Sequence, residues 1–261
     1  MKLYTKENLI KEFHKIARMG WIENTRKGND GGIGNTLEDL LGIEENNLPI
    51  PNAAEWELKA QRLNTSSLTT LFHIEPSPRA VKFVPQILLP SYGWQHQEAS
   101  KKHPENEMSF RQTIHGNASS DRGFMVKIDR KNHKILISFD HTKVSDIHKK
   151  WLKNVEKRIG LSELNPQPYW GFDDLANKAG TKLLNCFYAQ AEVKKENGIE
   201  FYKYSKVMML QKFNFNAFLQ ELESGNILVD FDARTGHNHG TKFRLRQNCF
   251  PNLYEKATEI I

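Results

Sequence analysis

A chain of 261 residues with 38% hydrophobic composition is long enough to bury the core of one large domain, or of one domain in two lobes around a cleft. No apolar run approaches the roughly 20 residues needed to cross a bilayer, which excludes a helical membrane role, and two cysteines are too few for a disulfide framework or a zinc site. Lys and Arg total 37 against 31 Asp and Glu, and the resulting charge of +6 suits a polyanion as well as it suits an ordinary solvated surface.

From the N-terminus, residues 2–18 read as an amphipathic helix, with Leu9, Ile10, Phe13, Ile16 and Ala17 on one side and lysines opposite. The same segment lacks a signal core and cleavage site, so a cytoplasmic location is expected. Residues 25–34 form a basic glycine-rich loop, and Asn35 or Thr36 is placed to cap a helix of pattern LEDLLGI. Pro49 and Pro51 precede a predicted strand over 55–63. Residues 68–74 and 81–89 follow as strands or buried segments, and then comes a polar stretch from about 91 to 122. Residues 123–129 and 134–139 alternate in character across Arg-Lys-Asn-His, a hairpin pattern. Helices are expected at 145–157, 171–180 and 213–223. Strands are expected at 182–191, 200–204 and 226–231, with a last one at 241–246 beyond the loop 232–240. The order is mixed α/β with antiparallel pieces attached.

The chemistry concentrates in Asn52-Ala-Ala-Glu-Trp-Glu57-Leu-Lys59. On a strand, Glu57 and Lys59 share one face while Trp56 and Leu58 pack on the other. A carboxylate and an ammonium aimed at one spot are what metal-assisted phosphodiester hydrolysis requires. A bare E-x-K is far more often a surface pair on an edge strand, so its surroundings must decide. The glycine-rich loop fails as a nucleotide-binding P-loop, because Asn35 stands where lysine belongs and Asn29 where the first glycine belongs. With Arg26 and Lys27 it reads as a backbone clamp. The segment Arg234-Thr-Gly-His237-Asn-His239-Gly-Thr-Lys242-Phe-Arg244 gathers side chains able to bond base edges in a major groove. It lacks cysteine or carboxylate partners at zinc spacing. His115, Asn117 and Arg122 form a second set of DNA contacts, while Arg111 and Lys127 are placed to hold phosphates. Trp94, Trp151, Trp170 and Phe172 read as packing residues.

In sequence order, Gly28–Leu41, Glu44–Leu48, Pro51-Asn52, Trp56–Lys59, Ser67–Phe72, Gln112–Asn117, Tyr169–Asp174, Phe201–Tyr204 and His237–Arg244 resemble the MvaI/BcnI-like restriction enzymes over most of the chain. The resemblance implies a PD-(D/E)-x-K core, a mixed sheet flanked by helices with a DNA-recognition lobe, and relation to the repair nicking enzyme MutH. It implies Mg²⁺, replaceable by Mn²⁺, and hydrolysis of double-stranded DNA at a short sequence, some members cutting CC-x-GG sites. Carried over, Glu57 is the metal-binding carboxylate, Lys59 the catalytic lysine and Glu38 a helix-borne acid beside the site, with Asn52, Glu57 and Leu58 as the metal-site residues. Members are expected to have aspartate at position 52. Asn52 offers an oxygen but no charge, which leaves open a variation compensated by Glu38, Glu45 or Glu55, an inactive relative, or a deliberate replacement.

The lobes expected are catalytic at about 1–90 and 155–205, and recognition at about 91–150 and 206–261, with DNA in the cleft. Further expectations are a monomer and a methyltransferase of the same site as genetic partner. The alternatives are a MutH-like nickase, a catalytically dead sequence-specific DNA-binding protein, and an unrelated basic structural or RNA-binding protein.

Overall fold

The structure, a computed structural model, describes residues 5–24, 32–43, 53, 55–63 and 65–261. In chain order the elements are α1 (Lys6–Arg18), β1 (Ile22–Glu23), α2 (Gly32–Leu41), β2 (Trp56–Arg62), β3 (Leu68–His73), a π-turn Val84–Leu88 running into α3 (Leu89–Tyr92), β4 (Trp94–Gln95), β5 (Met108–His115), β6 (Arg122–Asp129), β7 (Lys134–Val144) and α4 (Lys149–Ile159). They continue as β8 (Tyr169–Gly171), α5 (Phe172–Leu183), β9 (Asn185–Glu196), β10 (Ile199–Phe213), α6 (Phe215–Glu223), β11 (Ile227–Arg234), β12 (His237–Asn238), β13 (Lys242–Arg246) and β14 (Tyr254–Glu259). The result is a mixed α/β architecture with sheets flanked by helices.

The chain divides into two compact units, residues 1–69, 178–215 and 250–261 forming one and residues 70–177 and 216–249 the other. In the first, the described strands run β1-β10-β9-β2, with β14 paired to β10. β2 lies parallel to β9, Glu57 beside Cys186 and Lys59 beside Tyr188, whereas β9 and β10 form a long antiparallel hairpin. Its turn is Asn197-Gly198, where both residues take positive φ and glycine carries no steric cost. Thr5 caps α1 by accepting from the Asn8 amide, so Leu9, Phe13 and Ile16 at helical spacing reach the sheet. With Ile33, Leu37 and Leu41 of α2 they bury Trp56, Leu58, Phe187 and Ala189 in one apolar layer.

In the second unit a sheet runs β3-β13-β11-β5-β4 with β12 on β11, and a smaller sheet runs β6-β7-β8. An aromatic group, Tyr92, Phe110, Phe124, Phe139 and Trp151, fills the space beneath β5, β6 and β7. Phe72, Trp170, Phe218 and Phe243 make a second group. Trp151 and Trp170 each satisfy the indole N–H on a backbone carbonyl, of Tyr92 and Ile74.

Several elements differ from the sequence expectation for identifiable reasons. α2 starts at Gly32, so Asn35 and Thr36 lie inside it: Ile33 adds an apolar contact one turn before Leu37 and draws the helix back. Residues 84–92 are helical, because Pro85 and Pro90 cannot donate to a ladder and Val84, Leu88, Leu89 and Tyr92 recur at helical spacing. β5 lies hidden in the polar stretch, its alternate residues Arg111 and Thr113 facing solvent. β10 is three times the expected length and continues past a register shift between Tyr204 and Lys206. The last strand is β14, beyond the one expected at 241–246, and it pairs antiparallel with β10.

Candidate active site and nucleic-acid interface

Alternation along β2 separates two environments. Trp56 and Leu58 enter the apolar layer, Trp56 against Phe187 at 4.6 Å between ring centroids. Glu57, Lys59 and Gln61 point the other way. Glu57 is only 1% exposed, yet two ammonium groups hold it: Lys59 Nζ lies 2.9 Å from Oε1, and Lys182 Nζ lies 3.2 Å from Oε2. The second contact has the distance of an ion pair without hydrogen-bond geometry, so Oε2 is a buried carboxylate oxygen lacking a hydrogen-bond donor. Gln61 closes this row, accepting from the Thr69 hydroxyl and donating to the Ser67 carbonyl at 2.8 Å.

Beneath the carboxylate the floor stays neutral. Burial first and the Glu57 charge second push the Cys186 thiol up, and burial, then Cys186 and Glu57, push the Tyr254 phenol well above its ordinary value. Both therefore stay protonated near neutrality, so neither adds negative charge beside Glu57. Two lysines around one carboxylate leave a net positive environment suited to a phosphodiester.

Lys182 is the residue that reading the sequence missed. It stands near the end of α5, 123 residues beyond Lys59, and only the return of the chain into β9 beside β2 brings it to Glu57. Its one signal in the sequence is a lysine that opens the strand expected at 182–191.

Glu38 sits half-buried on α2, which packs on the apolar side of the sheet through Ile33, Leu37 and Leu41. Leu58 turns its side chain into that layer and has only its main-chain oxygen to offer a cation. Among the described residues no three His, Cys, Asp or Glu side chains gather as a metal cluster. Glu57, whose Oε2 accepts no hydrogen bond, fits a hard cation such as Mg²⁺, which takes one or two carboxylates and fills its shell with water and substrate phosphate. Asn52, Glu45, Arg26 and Lys27 lie outside the described residues, and Glu55 is exposed in the turn before β2.

In the second unit, β11 buries Val229, Phe231 and Ala233 and turns Asp230, Asp232 and Arg234 outward. The register sets Thr113 and Lys242 on either side of Asp230, and Arg111 beside Asp232. Carboxylates hold the arginines in place: Arg111 Nε to Asp232 at 2.9 Å, Arg244 Nη1 to Asp230 at 3.3 Å and Arg234 Nη1 to the buried Glu107 at 2.9 Å. The Thr113 hydroxyl donates to Asp230 at 2.8 Å. His115 meets Asn117 at 2.8 Å at the end of β5. Glu75 anchors the loop after β12, accepting from the Thr241 amide and hydroxyl, while the exposed His237 and His239 rings stack at 5.8 Å. Thus Arg234, Lys242, Arg244 and His115 share the strands of one sheet with Arg111, and His237 and His239 extend from it. Arg122 lies on the separate β6 sheet, stacked over Trp94. Lys127 is exposed on β6.

The model of the MvaI/BcnI restriction endonuclease family matches residues 10–254 of the chain. Among solved structures the chain is similar to the restriction endonuclease MvaI in complex with cognate DNA substrate, at 25% identity and TM-score 0.77 over 99% of this chain and 100% of that one. It is similar also to MvaI in the absence of DNA, at 25% identity and TM-score 0.57 over the full length of both chains. No curated protein matches. Among the described residues no helix is long and apolar enough to cross a membrane.

Proposed function

This chain belongs to the MvaI/BcnI restriction endonuclease family, and on that premise we propose that it is a type II restriction endonuclease hydrolysing double-stranded DNA at a short sequence, of CC-x-GG type, with Mg²⁺ or Mn²⁺. The observation that carries the reading is Glu57, a buried carboxylate between two lysines with one oxygen lacking a donor. Bound at Glu57, the metal would polarise the scissile phosphate and make a bound water a better nucleophile. Lys59 orients that water through its fixed place beside Oε1. Lys182, on the other carboxylate oxygen, faces charge that grows on the phosphate as the bond breaks. The neutral thiol and phenol below keep competing charge away. Asn52, with Leu58 through its main-chain oxygen, completes the proposed metal site, and Glu38, Glu45 or Glu55 substitutes for the missing charge. Arg26 and Lys27 clamp the backbone.

The outward arginines of β11 and β13, with Lys242, His115, Asn117, His237 and His239, read base edges. Their carboxylate partners fix each guanidinium before DNA arrives and so reduce the ordering cost of binding. The chain acts as a monomer, and a methyltransferase of the same site protects host DNA.

The test is incubation of the chain, and of Asn52→Asp, with plasmid DNA of known sequence and Mg²⁺, followed by mapping of the ends. Ends sharing one short sequence are expected, and cutting by the Asp version alone would make Asn52 the disabling residue. If neither version cuts with Mg²⁺ or Mn²⁺ although both bind DNA, the reading gives way to a sequence-specific DNA-binding protein.

A further inference from the structure

Arg122 is poorly satisfied for a charged group. Its side chain is 16% exposed, its Nε is buried without a hydrogen-bond partner, and the contact with a carboxylate, Asp121, is a long 3.9 Å. The guanidinium carbon lies over the Trp94 indole, 3.8 Å from the ring centroid, with Trp151 at 5.5 Å. Burial lowers the Arg122 pKa, although Asp121 opposes the shift. Its position is built into the backbone: Gly123, at φ +77°, sits in a register break between Arg122 and Phe124, and any side chain there would strike the Asp140 carbonyl.

A cavity of about 610 Å³ opens beside this stack, lined by Trp94, His96, Ser109, Arg111, Arg122 and His148 together with Gln97 and the carboxylate of Glu98. The acids near it are already engaged: Glu98 with Lys102 at 2.8 Å, Asp121 with His148 at 2.7 Å and Asp232 with Arg111 at 2.9 Å. What remains is a desolvated planar cation whose Nη groups form no hydrogen bond among the described residues, next to a roomy polar cavity. A buried charge in this state calls for an acceptor from outside. A guanidinium is shaped for two oxygens of one tetrahedral oxyanion, and the Ser109 hydroxyl and His96 offer further hydrogen-bonding groups.

We propose that this cavity is a phosphate subsite in which Arg122, stacked on Trp94, takes the oxyanion of a nucleic-acid phosphodiester. That the diester is DNA backbone rests on the nuclease reading above; the oxyanion subsite itself does not. The stack fixes the guanidinium plane, so the site contributes backbone affinity and register without reading sequence. This separates Arg122 from the base-reading residues among which the sequence had grouped it.

The test measures duplex binding by the intact chain and by Arg122→Met, with Ca²⁺ replacing Mg²⁺, across a range of salt, on a cut duplex and on an unrelated one. The site requires the slope of log affinity on log salt to fall by about one unit in the variant, equally on both duplexes. An unchanged slope in a variant melting like the parent overturns it, and so does a loss confined to the cut duplex, which would make Arg122 a base reader. In parallel, inorganic phosphate at fixed ionic strength is expected to raise the Tm of the parent and not of the variant. A slope change without that rise keeps the diester as ligand. Should the parent bind no DNA, the nuclease reading fails and the phosphate melt alone decides: a rise absent from the variant keeps the oxyanion site, and no rise removes it. If Arg122→Met does not fold, Arg122→Lys replaces it. With the charge kept and the plane lost, the site requires the parent slope with weaker affinity on both duplexes, and unchanged affinity contradicts it.

Discussion

The Glu57 side of the first sheet and the outer side of the β11 sheet arrange charge in opposite ways. Around Glu57 a single buried acid is outnumbered by Lys59 and Lys182, above a thiol and phenol that stay protonated. On β11 and its neighbours three arginines each have an acid: Arg111 with Asp232, Arg244 with Asp230, Arg234 with Glu107. An excess of cations suits a place where negative charge must arrive and grow during reaction. Matched pairs suit a surface that must hold donors at fixed angles without attracting every polyanion. The same residue types thus serve two purposes, and the ratio of acid to base distinguishes them.

Four substitutions test that contrast. The largest effect is expected from Trp56→Ala, which empties the apolar side of the strand that carries Glu57. It should cost about 3–5 kcal/mol of stability, read by denaturant unfolding. Little loss would mean that packing does not hold the Glu57 side in place. Next, Lys182→Met should slow single-turnover cleavage by about 10²-fold, the scale of one charge-stabilising donor, with duplex affinity little changed. A rate within threefold of the parent would remove Lys182 from the site. Third, Glu107→Leu releases Arg234 and should cost about 1–3 kcal/mol, since a 4%-exposed carboxylate partner is lost. It should also broaden the set of cut sequences, as end mapping would show, and an unaltered set would mean that Arg234 does not read bases.

The smallest effect concerns pH. Burial would raise the Glu200 carboxyl, but hydrogen bonds from Tyr202 and Arg62 outweigh it and hold the pKa below its ordinary 4.5. A lowered folded-state value gives stability that is present above the unfolded pKa and is lost as pH falls through the folded one. Glu200→Gln should therefore reduce stability near neutrality by less than about 1 kcal/mol, for a partly exposed pair, and the difference should fade as melts are carried into acid, through and below the folded-state pKa. A difference that persisted there would assign the loss to packing.

What could be read in the sequence depended on distance along the chain. The two faces of β2 follow from alternation alone, and α1 from the spacing of Leu9, Phe13 and Ile16. Lys182 could not be found this way, because its approach to Glu57 is created by the pairing of β2 with β9. The pairing of Asp230, Asp232 and Glu107 is hidden for the same reason: Asp230 and Asp232 meet arginines on other strands, and Glu107, just before β5, meets Arg234 on β11, so only the register brings each pair together. β5 escaped notice because a strand with one wet face resembles a loop in composition.

The most direct test of the account is Glu57→Gln in whichever version cuts, parent or Asn52→Asp. Cleavage should fall by on the order of 10³-fold or more while duplex binding in Ca²⁺ stays unchanged. Cutting within about tenfold of the starting protein would contradict the assignment of Glu57 as the carboxylate on which hydrolysis depends.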